Sequence, residues 1–440
     1  MGGQTVVMSL NGVVYVGLLV VFAGSLASAE PGGKLGPLEW NTREGLFYED
    51  AARQLRVDID GRVALDWMQW DDRNARSTQL RVDRALLAAR LSVGRYADAR
   101  VVVDLDGIDT RDNLWEAWAA LSPGSYARLT AGLLPIAFSM EHALGEAASG
   151  LVGYPGFPAF LTSRTDWAAR LDGELRDGLV YYELVAALGE GFDLFGQSRG
   201  DPQLAGRLTT FPLRFVDWEL ELGPYTIPLL SGLFVNGAYA LSTDYDGHLD
   251  VASPFRNKLF DTPRLDGDAA SFWIFGYGAD LGPFRVLHEF TRGSIDGVRL
   301  PSGMRRDFDD QITAWQVVVS WRLTGEPYDS RPFTRRGALR PDPPARPLDG
   351  EGAARGYGSF ELALRYANAD IDRGFFVEGL TTPTLSSQEF RQVAVAASWY
   401  PTAALRVSAQ LVRIIADQRP AVFDSRGRDT SYLLRAELHF

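Results

Sequence analysis

Between Leu55 and Met68 apolar and polar side chains alternate without a break. Leu55, Val57, Ile59, Val63, Leu65 and Trp67 fall on one side, and Arg56, Asp58, Asp60, Arg62 and Asp66 on the other. A period of two marks a β-strand, because successive side chains leave opposite faces of the backbone. At about 3.3 Å per residue the segment exceeds an ordinary globular strand. It matches a tilted strand that crosses a bilayer and extends beyond it. Residues 431–440 repeat the pattern: Tyr432, Leu434, Ala436, Leu438 and Phe440 interleave with Arg435, Glu437 and His439, and the chain stops on an aromatic ring. One such strand would also suit a soluble sandwich, so the remaining segments decide.

Fifteen further stretches read as strands. They are 85–93, 99–106, 114–121, 126–132, 167–175, 180–188, 204–211, 215–222, 229–241, 271–281, 284–292, 312–323, 357–366, 391–400 and 405–413. Single-chain bacterial barrels have even strand numbers, so at least one of the seventeen is spurious. The fold expected is therefore all-β, a sixteen-stranded antiparallel transmembrane β-barrel. The connections agree with this. Residues 94–98, 176–178, 223–224, 282–283 and 401–402 are tight turns suited to the periplasmic rim. Residues 134–165, 189–203, 242–270, 293–310 and 367–389 are long and rich in Gly, Pro, Asp and Ser, as extracellular loops are. The segment 325–356, with its run from Arg340 to Pro347, reads as an irregular connection.

Ahead of the strands lies an apolar stretch, Leu10 to Ala29, ending Ala27-Ser28-Ala29 before Glu30. It reads as a secretory signal at 1–29 that lacks the usual basic start. Residues 30–54 then form a periplasmic segment, and 55–440 the barrel. The chain has no cysteine, 46% hydrophobic and 12% aromatic residues, and a net charge of −12. An exported chain without disulfides is held by a closed hydrogen-bond ladder, and aromatic side chains in this proportion suit the two interface girdles of a barrel. Lysine occurs only at Lys34 and Lys258, every other basic side chain being arginine. Guanidinium groups suit phosphate and carboxylate better than ammonium groups do.

Parity places Arg56, Arg62, Arg90, Arg100, Arg128, Arg170, Arg207, Arg285, Arg322, Arg365, Arg391, Arg406 and Arg435 on the lumen side. Asp58, Asp60, Asp66, Asp104, Asp106, Asp172, Glu174, Glu183, Glu219, Glu221, Glu289, Glu361 and Glu437 share those faces. Interleaved signs of this kind keep water in a pore and pair with one another. A ladder of Arg56, Arg62, Arg90, Arg100, Arg128, Arg170, Arg207, Arg322 and Arg365 is the candidate anion path, with Arg164 added from the 134–165 loop folded inward as a constriction. No catalytic constellation stands out. His142, His248, His288 and His439 are scattered, and H-E-x-x-H does not occur. Asp104-x-Asp106-Gly107-x-Asp109 lacks the closing Glu of a calcium loop. No cofactor, metal or nucleic-acid partner is expected. The rival class is a soluble, secreted all-β carbohydrate-binding protein or glycoside hydrolase, for which the dispersed carboxylates offer no distinctive pair.

Several segments in order resemble the phosphate-selective porin family of the O/P type. Trp315 to Glu326 is similar to its aromatic strand ending Leu-Thr-Gly-Glu, and Gly356 to Tyr366 followed by Asp370 to its G-x-x-E-[LV]-A-x-R-[YF] strand. Ser398-Trp399-Tyr400-Pro401 resembles its Asn-Trp-Tyr turn with Ser398 in place of Asn. Gly61-Arg62 with Asp66, and Gly132 followed by Phe138-Ser139-Met140-Glu141, resemble its first strand and its inward-turning segment. The resemblance implies an outer-membrane homotrimer embedded in lipid that passes anions such as phosphate. Leu133, Pro135 and Ala137 replace the family's Gln, Lys and Pro, which points to a channel for small polar solutes and ions with weak selectivity.

Overall fold

In a computed structural model of the chain, the residues described are 39–41, 45–72, 75–105, 114–136, 139–144, 150–152, 165–188, 202–216, 218–222, 225–243, 245–247, 249–252, 258–328, 344–348, 356–418 and 428–440. Sixteen strands form one closed antiparallel sheet. In chain order they are β1 (Leu55–Asp72), β2 (Ala75–Val93), β3 (Ala97–Asp104), β4 (Leu114–Gly124), β5 (Ala127–Pro135), β6 (Thr165–Leu175), β7 (Val180–Ala187) and β8 (Gln203–Thr210). They continue with β9 (Leu233–Ser242), β10 (Ala269–Leu281), β11 (Phe284–Arg299), β12 (Arg305–Arg322), β13 (Ser359–Ile371), β14 (Glu389–Tyr400), β15 (Leu405–Ala416) and β16 (Arg428–His439). Each pairs with the next, and β16 returns to β1 with Leu434 opposite Trp67 and Arg435 opposite Asp66. Closure gives every strand two neighbours, which in hydrocarbon is what a β-structure requires.

The alternation read from the sequence is the alternation of the wall. Along β13 Phe360, Leu362 and Leu364 are exposed while Glu361, Ala363 and Arg365 are buried, and β14, β15 and β16 behave alike. Aromatic pairs stand on the outward face at two levels: Phe284 with Trp321 and Phe360 with Trp399 on one, Trp273 with Phe290 and Trp315 with Tyr366 on the other. The outward wall is uneven. On β2–β5 it carries small and aliphatic side chains such as Ala89, Ala99, Ala119 and Ala131, whereas β10–β14 carry the Trp, Phe and Tyr rings.

Three expectations are corrected. Residues 215–222 contribute no barrel strand, because Glu219–Leu222 pairs only with Tyr225–Pro228 in a small hairpin; Glu219 and Glu221 therefore face no lumen. Residues 293–310 are mostly strand, since β11 and β12 run on past the apolar band and leave only 300–304 as the connection. Arg391 shares the outward parity of Val393 and Val395, so it stands on the outer wall. Among the described tryptophans, Trp118 faces inward and is buried beneath the Arg128 guanidinium.

Residues 39–41 and 45–50, expected to lie in the periplasmic segment ahead of the barrel, join the sheet. Glu39–Asn41 pairs with Gly45–Asp50, which pairs with Leu55–Ile59 of β1. That edge of β1 is shared: 55–59 bind the N-terminal strand and 62–70 bind β16. Gly61 sits at the junction and exchanges two backbone hydrogen bonds with Phe440, at 2.9 and 3.1 Å. A β-carbon on Gly61 would stand 2.2 Å from the Phe440 ring, so the glycine makes room for the last side chain. Gly61→Leu and deletion of Phe440 should both lower the yield of heat-modifiable barrel in the membrane while leaving the melting of already folded protein nearly unchanged. Equal yields to the unaltered chain would contradict the closing role of this contact.

Candidate functional site

The rim that holds the start of β1 and the end of β16 is here the terminal rim, and the other the far rim. After β5 the chain leaves the far rim and turns into the barrel, where Ile136, Ser139, Met140, Leu151 and Val152 are all buried. A short helix, α1 (Met140–Leu144), lies across the lumen. Its attachments are on the opposite wall. The Met140 N–H donates to Glu289 Oε1 of β11 at 2.5 Å. Gln316 Nε2 of β12 donates to Glu141 Oε2 and Glu289 Oε2, both at 3.1 Å. The Arg365 guanidinium of β13 pairs with Glu141, and the Val152 N–H donates to Gln410 Oε1 of β15 at 2.7 Å. In a ring of sixteen strands β13 lies diametrically opposite β5, so this segment spans the bore. Gly150 rests against β13, where a β-carbon would come within 2.7 Å of Glu361 Oε1 and 2.9 Å of the Ala363 methyl.

A second inward layer covers part of the far rim. The β9–β10 connection forms two small ladders, Tyr245–Gly247 with Leu265–Gly267 and Asp250–Ala252 with Lys258–Asp261. Its Leu259 carbonyl accepts from the Ser387 N–H at 2.9 Å. Phe260 packs on Phe375 of a second short helix, α2 (Gly374–Val377), and Phe375 stacks on Phe308. This apolar roof and α1 belong to one buried cluster on the β7–β15 side. Beside the roof, at the β11–β12 hairpin, burial and the neighbouring Asp307, Asp309 and Asp268 push the Asp296 carboxyl up from its ordinary range.

The predicted arginines divide by surroundings. Arg62 binds Glu437 at 2.6 Å, Arg170 binds Asp172 at 2.9 Å, Arg207 binds Glu183 at 3.0 Å, and Arg365 is held by Glu141. Arg100 lies between Asp60 and Glu116 at 3.8 and 4.0 Å. All five are buried. Glu437 gathers Arg62, Arg406, Arg435 and His439, and Arg435 grips Asp66 with two hydrogen bonds of 2.6 and 2.7 Å. These pairs knit β15, β16 and β1 at the closing seam, and Arg435 also reaches Asp83 of β2. Arg56, Arg90 and Arg128, by contrast, keep 34, 42 and 26% of their side-chain area exposed. They cluster on β1, β2 and β5 near the terminal rim, around Asp58 and Asp98, the latter shared by Arg90 and Arg128.

Arg322 has a role the sequence did not disclose. Together with Arg285 it sandwiches the ring of Tyr328, the guanidinium carbons lying 4.3 and 4.4 Å from its centre. Tyr328 enters from the β12–β13 connection and donates its hydroxyl to Glu361 at 2.5 Å; Tyr400 donates to the same carboxylate at 2.7 Å. Arg164 lies outside the described residues, as does most of the Asp104–Asp109 motif. Among the described residues no group of three or more His, Cys, Asp or Glu side chains is arranged to hold a metal ion.

A barrel with a segment pinned across its bore, and water-accessible charge on one side of that segment, can pass and sieve small solutes. No family model and no curated protein sequence matches the chain. Solved structures do. The anion-selective porin of Comamonas acidovorans superposes with a TM-score of 0.53 over 88% of this chain and 100% of its own, at 12% identity. The outer membrane channel DcaP of Acinetobacter baumannii gives 0.51 over 89% and 99%, also at 12% identity. OmpT, an outer membrane protein of Vibrio cholerae, in its trimer form, gives 0.52 over 88% and 99% at 10% identity. At such identities the likeness is one of fold.

Proposed function

We propose that the chain is an outer-membrane porin through which small polar solutes and ions diffuse, with at most a weak preference for anions. The observation that carries this reading is the segment after β5, which crosses the bore and is fastened to β11, β12, β13 and β15 through polar groups. A soluble carbohydrate-binding protein or hydrolase has no use for an outward wall of exposed Leu, Val and Trp. The rim with the tight turns and Phe440 then faces the periplasm and the roofed rim the exterior. Residues 1–29 are the export signal of this reading.

Selectivity follows from the accessible charges. The exposed Arg56, Arg90 and Arg128 are interleaved with Asp58 and Asp98, and the remaining arginines of the ladder are occupied by carboxylates or by Tyr328. Rings of unbalanced charge set strong selectivity, and none is present among the described residues. Pro135 stands where the phosphate-selective family has lysine, and its carbonyl accepts from Arg170 Nη1 at 3.3 Å. The homotrimer suits the outer wall, because the small side chains of β2–β5 let a neighbouring copy approach closely while the aromatic wall of β10–β14 meets lipid.

Single-channel recording tests the reading. Under a potassium chloride gradient the reversal potential should lie slightly toward chloride, and millimolar phosphate should leave the chloride current intact. Block by phosphate that is relieved by Arg164→Ala or Arg128→Ala would instead establish a phosphate site. Absence of any conductance from folded protein would overturn the porin reading.

A further inference from the structure

The outward faces of β11–β16 change character at one level. Counting eight residues along each strand from Phe284, Trp321, Phe360, Trp399, Leu405 and Leu438 reaches Arg292, Thr313, Asn368, Arg391, Arg413 and Thr430. All six are polar. The outward positions in between are apolar or tyrosine except His288, which stacks on Tyr277. Eight residues are about 26 Å of strand, or roughly 20 Å of height at a tilt near 40°, close to the thickness of a barrel's apolar band. The level therefore marks the apolar–polar boundary on the side of the far rim.

The charges at this level are of one sign. Arg292, Arg391 and Arg413 stand on it, in a chain of net charge −12, and no carboxylate does. Arg391 lies opposite Ile415 and Arg413 opposite Val393, so the two arginines are diagonal neighbours on β14 and β15, separated by roughly 7–8 Å of backbone. Both are exposed. Arg391 leans on Glu389, one outward step higher, with Nε and Nη2 at 2.9 and 2.7 Å from Oε1, which leaves Nη1 pointing away from that carboxylate. Two guanidinium groups so spaced match a phosphate, which accepts hydrogen bonds on several oxygens.

We infer that Arg391 and Arg413 bind the phosphate of a membrane lipid in the leaflet facing the far rim, with the β13–β15 aliphatic wall below them receiving its acyl chains. The inference rests on the membrane orientation proposed above but not on conduction. A second copy of the chain fits this face less well, because the small-residue wall lies across the barrel on β2–β5.

The test uses the full chain, purified in detergent and washed free of lipid. It is titrated with diphosphoryl lipid A and with the same lipid stripped of its phosphates, and retained lipid is counted by native mass spectrometry. The unaltered protein should prefer the phosphorylated lipid by about thirtyfold, from two arginines at an anionic surface. The double variant Arg391→Gln, Arg413→Gln should lose that preference with unchanged single-channel conductance, and inorganic phosphate should not compete at millimolar concentration. Equal retention of the two lipids by the unaltered protein would overturn the inference without need of any variant. A preference that survives in the double variant, or a shift of that variant to a smaller oligomer, would overturn it as well. Loss of conductance in the unaltered protein would count against the porin reading alone.

Discussion

Replacing Arg365 with alanine is expected to raise single-channel conductance and to make it noisier, because this guanidinium ties the lumen-crossing segment to β13. It is buried, and it pairs with Glu141 in a cluster that also holds Glu289. Removing one partner of a buried ion pair leaves the other charged without compensation, a cost of about 3–5 kcal/mol. The local remedy is for α1 to withdraw from the wall, which frees Glu141 to reach water. The barrel itself is held by its backbone ladder, so the heat-modifiable form should persist. Arg365→Met, which fills the space without charge, should behave like the alanine variant if charge is the tie. Unchanged conductance in both variants would show that the segment is positioned by Glu289 and Gln410 without Arg365.

The outer wall gives the second large effect. Leu434, 50% exposed, points away from the lumen near the middle of β16, and Leu362, 41% exposed, points the same way one outward step from the Phe360 ring on β13. Arginine at either position is expected to destabilise the barrel in lipid by about 2–4 kcal/mol if it lies at the bilayer midplane, measured by reversible unfolding in liposomes. Arginine at Ser92, a half-buried lumen position near Asp98, should cost far less. Ala363 is not a suitable lumen control, because it packs against Gly150 of the constriction and a long side chain there would collide with it. Equal responses at Leu362 and Ser92 would refute the lipid-facing assignment.

Much of the architecture was legible in order of sequence because alternation is a local property. The strand from Leu55 and the strand ending at Phe440 were readable from parity, and they prove to be neighbours across the closing seam. The even-count rule foresaw one surplus segment, and 215–222 is that segment. Its alternation is real, but its polar face belongs to a free-standing hairpin, a distinction that periodicity does not carry. The residue type does not place Arg391, because an arginine suits a lumen and a headgroup boundary equally; its shared parity with Val393 and the membrane level separate the two. The strand at 45–50 was missed because it is short and finds its partner in the extension of β1.

By itself, the sequence determined the alternating faces, the turn positions and so the closed wall, since each depends on residues within a few positions of one another. The tertiary structure alone decided which wall charges neutralise each other and where the constriction is tied. Met140 is separated from Glu289 by 149 residues, Glu141 from Gln316 by 175 and from Arg365 by 224, and Val152 from Gln410 by 258. Contacts of that span exist only once the barrel has closed and brought β5 opposite β13. Arg322 depends on the fold at shorter range: its parity announced a pore-lining cation, and the connection directly after β12 folds back to set Tyr328 against it and Arg285.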